Sequence, residues 1–247
     1  MSPISEFASA TLDPPVRGFL HLPDTPNGNA LVLTHGAGGN AQAPLLRALA
    51  ETFANAGFMV LRCNLPYRQV RSFGPPGPGD AARDRAGLKN AIAALKGIPD
   101  GSGNTPQDVP LLASVAKGGN RHTPKNHRLF LAGHSYGGRQ SSMLCAQESD
   151  LVSGLLLLSY PLHPPRKPEQ QRTQHLPDLR TPTLFVHGTR DPFGSIAELE
   201  RAIKMIPGST KLLPVEGAGH DLGFKGRATR QELPQAILKE FQQLFAQ

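Results

Sequence analysis

Three side chains in this sequence stand where the backbone around them suits one kind of chemistry. The apolar run Arg128-Leu129-Phe130-Leu131-Ala132 passes through Gly133-His134-Ser135-Tyr136-Gly137-Gly138 into a helix-like stretch from Arg139 to Gln147. Gly-x-Ser-x-Gly between a strand and a helix marks a sharp turn whose glycines relieve crowding and lift the serine hydroxyl above the sheet. A serine hydroxyl is a poor nucleophile at neutral pH unless a neighbouring base takes its proton. Asp191 closes the stretch Pro182-Thr183-Leu184-Phe185-Val186-His187-Gly188-Thr189-Arg190, and His220 closes Glu216-Gly217-Ala218-Gly219. The order serine, acid after a later strand, histidine before the last helix is the one in which a strand-borne serine is activated for attack on an acyl carbon.

On this reading Ser135 is the nucleophile and His220 the base, and Asp191 accepts a hydrogen bond from the His220 ring and so sets its tautomer. The bland alternative makes Asp191 a turn residue before Pro192. Asp221 is a rival acid because it adjoins His220, but neighbours on an extended loop point apart, so it is expected to be a loop carboxylate. An oxyanion would be held by the backbone N–H of Tyr136 and by a second N–H from the loop Thr34-His35-Gly36-Ala37-Gly38-Gly39. Ala37 is the expected donor there and Gly38 the alternative; His35 and His134 are expected to brace the loops. The same loop also fits a dinucleotide fingerprint, Gly36-x-Gly38-x-x-Ala41. The acidic residue expected at the next strand end is absent, although Arg62 would suit the 2′-phosphate of NADP. That reading leaves Ser135, Asp191 and His220 unexplained.

The elements that must carry these residues are legible as alternation. Apolar runs at Val16–Leu22, Ala30–Thr34, Phe58–Arg62, Arg128–Ala132, Ser153–Ser159, Pro182–His187 and Thr210–Val215 read as strands. Between them, Pro44–Ala56 places Leu45, Leu46, Leu49 and Phe53 on one helical face and stops at Gly57. Asp80 is expected to cap a helix presenting Leu88, Ile92 and Leu95. Ser195 with Glu198 forms a capping-box pattern, and Gln231–Ala246 reads as a terminal amphipathic helix. Such alternation predicts a mostly parallel sheet covered by helices on both faces, as one domain over residues 1–247 with a surface insertion at 97–127.

Composition narrows the function. The chain has 247 residues, a net charge of +7 and two cysteines, which gives no disulfide framework. The basic residues are not clustered with aromatics, so nucleic acid is not an expected partner. No leader-like or membrane-spanning run is present, and a cytoplasmic location is the default. No metal or organic cofactor is required by the chemistry.

These segments together resemble the α/β-hydrolases, specifically a small lidless branch similar to dienelactone-hydrolase-like and testis-expressed-protein-like serine hydrolases. The matching stretches are His35–Gly39, Arg62–Arg68, Gly133–Gly138, Tyr160–Pro165, His187–Gly194 and Gly219-His220. The resemblance implies the α/β-hydrolase fold without a large cap domain, and the three residues above as its triad. Dienelactone hydrolases proper use cysteine where this chain has Ser135, so their substrate does not carry over. The expected activity is hydrolysis of an ester or related acyl bond of a small soluble substrate, the alternative being a non-enzymatic interaction module on the same fold. Tyr67, Arg68, Arg71, Tyr160 and His163 are candidates to line the mouth of the site, against the alternative that they brace loops.

Overall fold

A computed structural model describes residues 3–98, 128–224 and 231–246. Eight strands form one sheet: β1 (Ile4–Ser9), β2 (Val16–His21), β3 (Asn29–Thr34), β4 (Met59–Asn64), β5 (Arg128–His134), β6 (Gly154–Leu158), β7 (Thr183–Gly188) and β8 (Thr210–Val215), in the order β1-β2-β4-β3-β5-β6-β7-β8. The pairs β1/β2 and β2/β4 are antiparallel and the rest are parallel. The helices are α1 (Pro44–Asn55), α2 (Pro66–Val70), α3 (Asp80–Lys96), α4 (Tyr136–Gln147), α5 (Ile196–Ile203) and α6 (Leu233–Phe245).

Central strands are apolar on both faces because both faces are covered. Along β3, Ala30 and Val32 join a core with α3, α4 and α5, whereas Leu31 and Leu33 join a second core with α1 and α6. The same period of two separates Leu129 and Leu131 from Phe130 and Ala132 on β5. Phe53, Phe58, Phe130, Phe241 and Phe245 fill the α1/α6 side with mostly edge-to-face rings.

The connection from β6 to β7 holds one 3₁₀ turn, Leu176–Asp178, and no cap domain. Strand β1 was not expected: it is an edge strand whose first three residues are exposed, so it lacks an apolar signature. Asp80 does not cap α3 as expected. The cap position is Gly79, and the Asp80 carboxylate accepts the Gly77 N–H and pairs with Arg71. Gly57, at φ 94°, does end α1, and the capping box of Ser195 and Glu198 forms. The expected insertion at 97–127 lies, beyond Ile98, outside the described residues. No helix among the described residues is long and apolar enough to cross a membrane.

Two histidines are built into this frame as neutral rings. His21 Nε2 accepts from Arg62 Nε at 2.8 Å, and burial, then the Arg62 and Arg47 charges, push its pKa down to about 4. His35 donates from Nδ1 to the Gly36 carbonyl at 2.9 Å and accepts the Leu65 N–H on Nε2 at 3.1 Å. Burial holds its pKa at about 4, against the opposing effect of the Gly36 bond. In the unfolded chain both rings titrate near 6.5, so between that pH and 4 the unfolded state binds more protons and stability rises with pH. Stability is therefore expected to be full above about pH 6.5 and to fall towards pH 4, by on the order of 3 kcal/mol per histidine. Urea midpoints that stay constant across this window would contradict two neutral, hydrogen-bonded rings.

Candidate active site

The sheet order places the chemistry. From β3 the chain passes through α1 to β4 on one side, while β5 lies on the other side of β3, so the loops after β3 and β5 diverge to opposite faces. A crevice opens between them at the carboxyl ends of the strands, the usual place for a ligand in an open α/β sheet.

Ser135 occupies the turn from β5 to α4 with φ 51° and ψ −115°. The turn is tight because its glycines admit close backbone: a Cβ on Gly133 would lie 2.4 Å from the Gly138 nitrogen, and one on Gly137 2.5 Å from the His35 carbonyl oxygen. A side chain at Gly133 would push the first turn of α4 off β5, and one at Gly137 would push away the loop after β3.

Asp191 and His220 reach Ser135 from loops after β7 and β8. These loops are stitched together: the Arg190 N–H donates to the Ala218 carbonyl at 2.9 Å, and the Gly217 N–H to Thr189 Oγ1 at 2.8 Å. His220 Nε2 lies 2.8 Å from Ser135 Oγ, and its Nδ1 lies 2.8 Å and 3.0 Å from the two Asp191 oxygens. A carboxylate only accepts, so Nδ1 carries the proton and Nε2 is left to accept the serine O–H. Asp191 is almost fully buried and also accepts the Phe193 N–H at 2.9 Å. The Phe193 ring lies against His220, with centroids 4.2 Å apart. Asp221 instead turns back within its own loop, accepting the Gly223 N–H. A hydroxyl, a base and a buried carboxylate in line can pass a proton from oxygen to nitrogen and leave a nucleophile.

The cleft around Ser135 has a volume of about 520 Å³ and is lined in part by Ala37 and Tyr136, the expected oxyanion donors, with Leu45, Leu46 and Phe224 as apolar wall. Behind it, Asp84 of α3 is fully buried and links both donor segments. Its carboxylate accepts the Tyr136 hydroxyl at 2.8 Å and the Tyr67 N–H at 3.1 Å, and the Tyr67 hydroxyl donates to the Ala37 carbonyl at 2.8 Å. Burial raises the Asp84 pKa, and these two hydrogen bonds oppose the rise.

Tyr67, Arg68, Tyr160 and His163 do not line the cleft. Their polar atoms turn to the loops: Tyr67 and Arg68 donate to the Ala37 carbonyl, Arg68 also to Gly39 and Gly74, Tyr160 to the Arg172 carbonyl and His163 Nδ1 to the Pro164 carbonyl, with His163 Nε2 3.6 Å from Glu198. Mouth-lining for these residues is corrected to loop bracing, because each sits beside an unpaired loop carbonyl that needs a donor. Arg71 is paired with Asp80. The NADP reading fails on Arg62, whose buried guanidinium is held by His21 and the Ala41 carbonyl and is closed to a phosphate. His35 and His134 brace the loops as expected, His134 donating from Nε2 to the His220 carbonyl at 2.8 Å. The sequence reading missed Phe193, Asp84, Arg139 and Arg172. Phe193 and Arg139 each stand within four residues of a candidate site residue, which is the one signal that marked them. Among the described residues no cluster of three or more His, Cys, Asp or Glu could hold a metal ion.

The chain has relatives of known structure and family. Residues 96–246 match a family model described as an alpha/beta hydrolase domain. A dienelactone hydrolase from Anabaena variabilis superposes with a TM-score of 0.70 at 19% identity, covering 98% of each chain. A serine hydrolase homologue from Coxiella burnetii gives 0.68 at 15% identity, over 97% of this chain and 98% of that one. A serine hydrolase without lid from Xanthomonas campestris gives 0.64 at 15% identity, over 100% and 97%. At these identities the likeness is one of fold. Among curated proteins, the polyketide synthase ThaQ of Burkholderia thailandensis matches at 48% identity over 48 residues, 19% of this chain and 2% of that protein.

Proposed function

The chain belongs to the α/β-hydrolase family, and on that premise we propose that it is a serine hydrolase cleaving an ester or related acyl bond of a small substrate through an acyl-enzyme. The observation that carries this reading is the 2.8 Å approach of His220 Nε2 to Ser135 Oγ, with Asp191 behind the ring. Ser135 Oγ attacks the acyl carbon while His220 takes its proton, and the carbonyl oxygen becomes an oxyanion. That oxyanion is met by the N–H of Tyr136, which as first residue of α4 has no acceptor within the helix, and by the N–H of Ala37. The carbon–oxygen bond to the alcohol then breaks, and the alcohol leaves with the proton held on His220. Water, activated by the same ring, releases the acid and restores Ser135.

A fluorophosphonate probe tests the reading, because it labels a serine only where the base and oxyanion donors are assembled. Labelling at Ser135 is the expected result. A folded protein that resists the probe would favour a non-enzymatic module on the same fold.

Small soluble esters are the expected substrates, since the β6–β7 connection forms no cap and the apolar wall is short. Across aryl esters of about two to sixteen acyl carbons, each buried methylene would add about 0.8 kcal/mol, so kcat/KM should rise briefly and then level off or fall. A steady rise to the longest chain would require a groove that the described residues do not form.

A further inference from the structure

Arg139 and Arg172 line the same cleft as Ser135. Arg139 is the fourth residue of α4, one turn beyond Ser135, and Arg172 comes from the β6–β7 connection. Neither guanidinium forms an ion pair with a carboxylate among the described residues. Among those residues Arg139 Nε is buried without a hydrogen-bond partner, and the Arg172 guanidinium donates one long bond, 3.3 Å to the Pro161 carbonyl.

This arrangement is costly as it stands. A cation in the first turns of a helix opposes the positive end of the helix dipole. Burial lowers the Arg172 pKa, and the Arg139 charge lowers it further, the mark of two like charges sharing a half-dry wall. His175 beside them adds no third charge: burial, then Arg139, push its pKa down to about 4, and its Nε2 meets Ser142 Oγ at 2.8 Å. The acid on the cleft lining, Asp221, has a carboxylate oxygen bound to the Gly223 N–H in its own loop. An anion placed between the two arginines would relieve the repulsion. The planar guanidinium suits a carboxylate, which can accept two N–H bonds side by side.

From this pair we infer that the cleft selects esters that carry a carboxylate, with Arg139 and Arg172 receiving it while Ser135 attacks the acyl carbon. The inference rests on the serine-hydrolase reading for its chemistry but not for its binding. Two measurements separate them. The first compares kcat/KM for matched esters: p-nitrophenyl hydrogen adipate against p-nitrophenyl hexanoate, with the charge on the acyl side, and 4-carboxyphenyl acetate against phenyl acetate, with it on the alcohol side. A preference of at least about tenfold for the charged member of one pair is expected, and Arg139→Gln should bring that ratio close to one. The second titrates adipate and 4-hydroxybenzoate by calorimetry into Ser135→Ala protein, with and without Arg139→Gln. Binding of at least one, weakened about tenfold or more by the arginine change, supports the subsite whether or not any ester is turned over. Equal treatment of charged and neutral esters in both pairs overturns the inference, as does carboxylate binding that ignores Arg139. Failure of the serine-hydrolase reading would show instead as the absence of fluorophosphonate labelling, with carboxylate binding intact.

Discussion

Ser135→Ala is expected to lower kcat/KM for an aryl ester by about 10⁴ to 10⁶ while leaving the folded protein intact. The size follows from the role: without Oγ there is no atom to form the acyl-enzyme, and only the oxyanion donors and binding groups remain. Stability should change little, because alanine keeps the Cβ that the turn already accommodates at φ 51°. The change removes one hydrogen bond, to His220, on the wall of a cleft. Turnover and thermal melting measured on the same purified preparation check both halves. Substantial residual turnover by a well-folded variant would mean that the nucleophile lies elsewhere.

Asp191→Asn should cost about 10⁴ in kcat, whereas Asp221→Asn should stay within roughly tenfold of the parent. The asymmetry comes from hydrogen-bond bookkeeping around one ring. Asp191 Oδ1 accepts the Phe193 N–H at 2.9 Å, so an asparagine would keep its carbonyl oxygen there and turn its NH₂ towards His220 Nδ1. Nδ1 would then have to accept, the proton would move to Nε2, and a ring that donates towards Ser135 cannot take its proton. His187 reinforces this orientation. Its Nε2 donates to the Gly194 carbonyl at 2.8 Å and lies 3.7 Å from Asp191 Oδ2, which fixes the Asp191 loop from beneath. Asp221 is turned to its own loop, where its Oδ1 accepts the Gly223 N–H. Steady-state kinetics of the two variants, with binding of a substrate analogue to confirm an intact cleft, decide the matter. The reverse ranking would transfer the acid role to Asp221.

The sequence by itself determined whatever depends on neighbours along the chain. Runs such as Ala30–Thr34 and Pro182–His187 had to be strands, because residues apolar on both sides fit a sheet covered on both faces. Gly133, Ser135 and Gly137 had to form a tight turn between strand and helix, and Ser195 with Glu198 had to open a helix, since turn and cap chemistry act over a few residues. The order of Ser135, Asp191 and His220 was legible for the same reason, each standing at the end of a recognisable strand.

Only the tertiary structure decided which polar side chains face the cleft and which are spent holding it. Tyr67, Arg68, Tyr160 and His163 have the residue types expected of a substrate site, yet loop carbonyls claim the Tyr67, Arg68 and Tyr160 donors and His163 Nδ1. Arg139 and Arg172 are 33 positions apart (172 − 139) and meet at the cleft because the β6–β7 connection folds back over the start of α4. Asp84 reaches Tyr136 across 52 positions for a like reason, α3 packing against α4 on one face of the sheet. Edge strand β1 escaped because half-exposed residues carry little hydrophobic pattern. Local propensity is written in adjacent residues; the partner of a buried polar group is set by which elements pack together, and that is determined by the whole sheet.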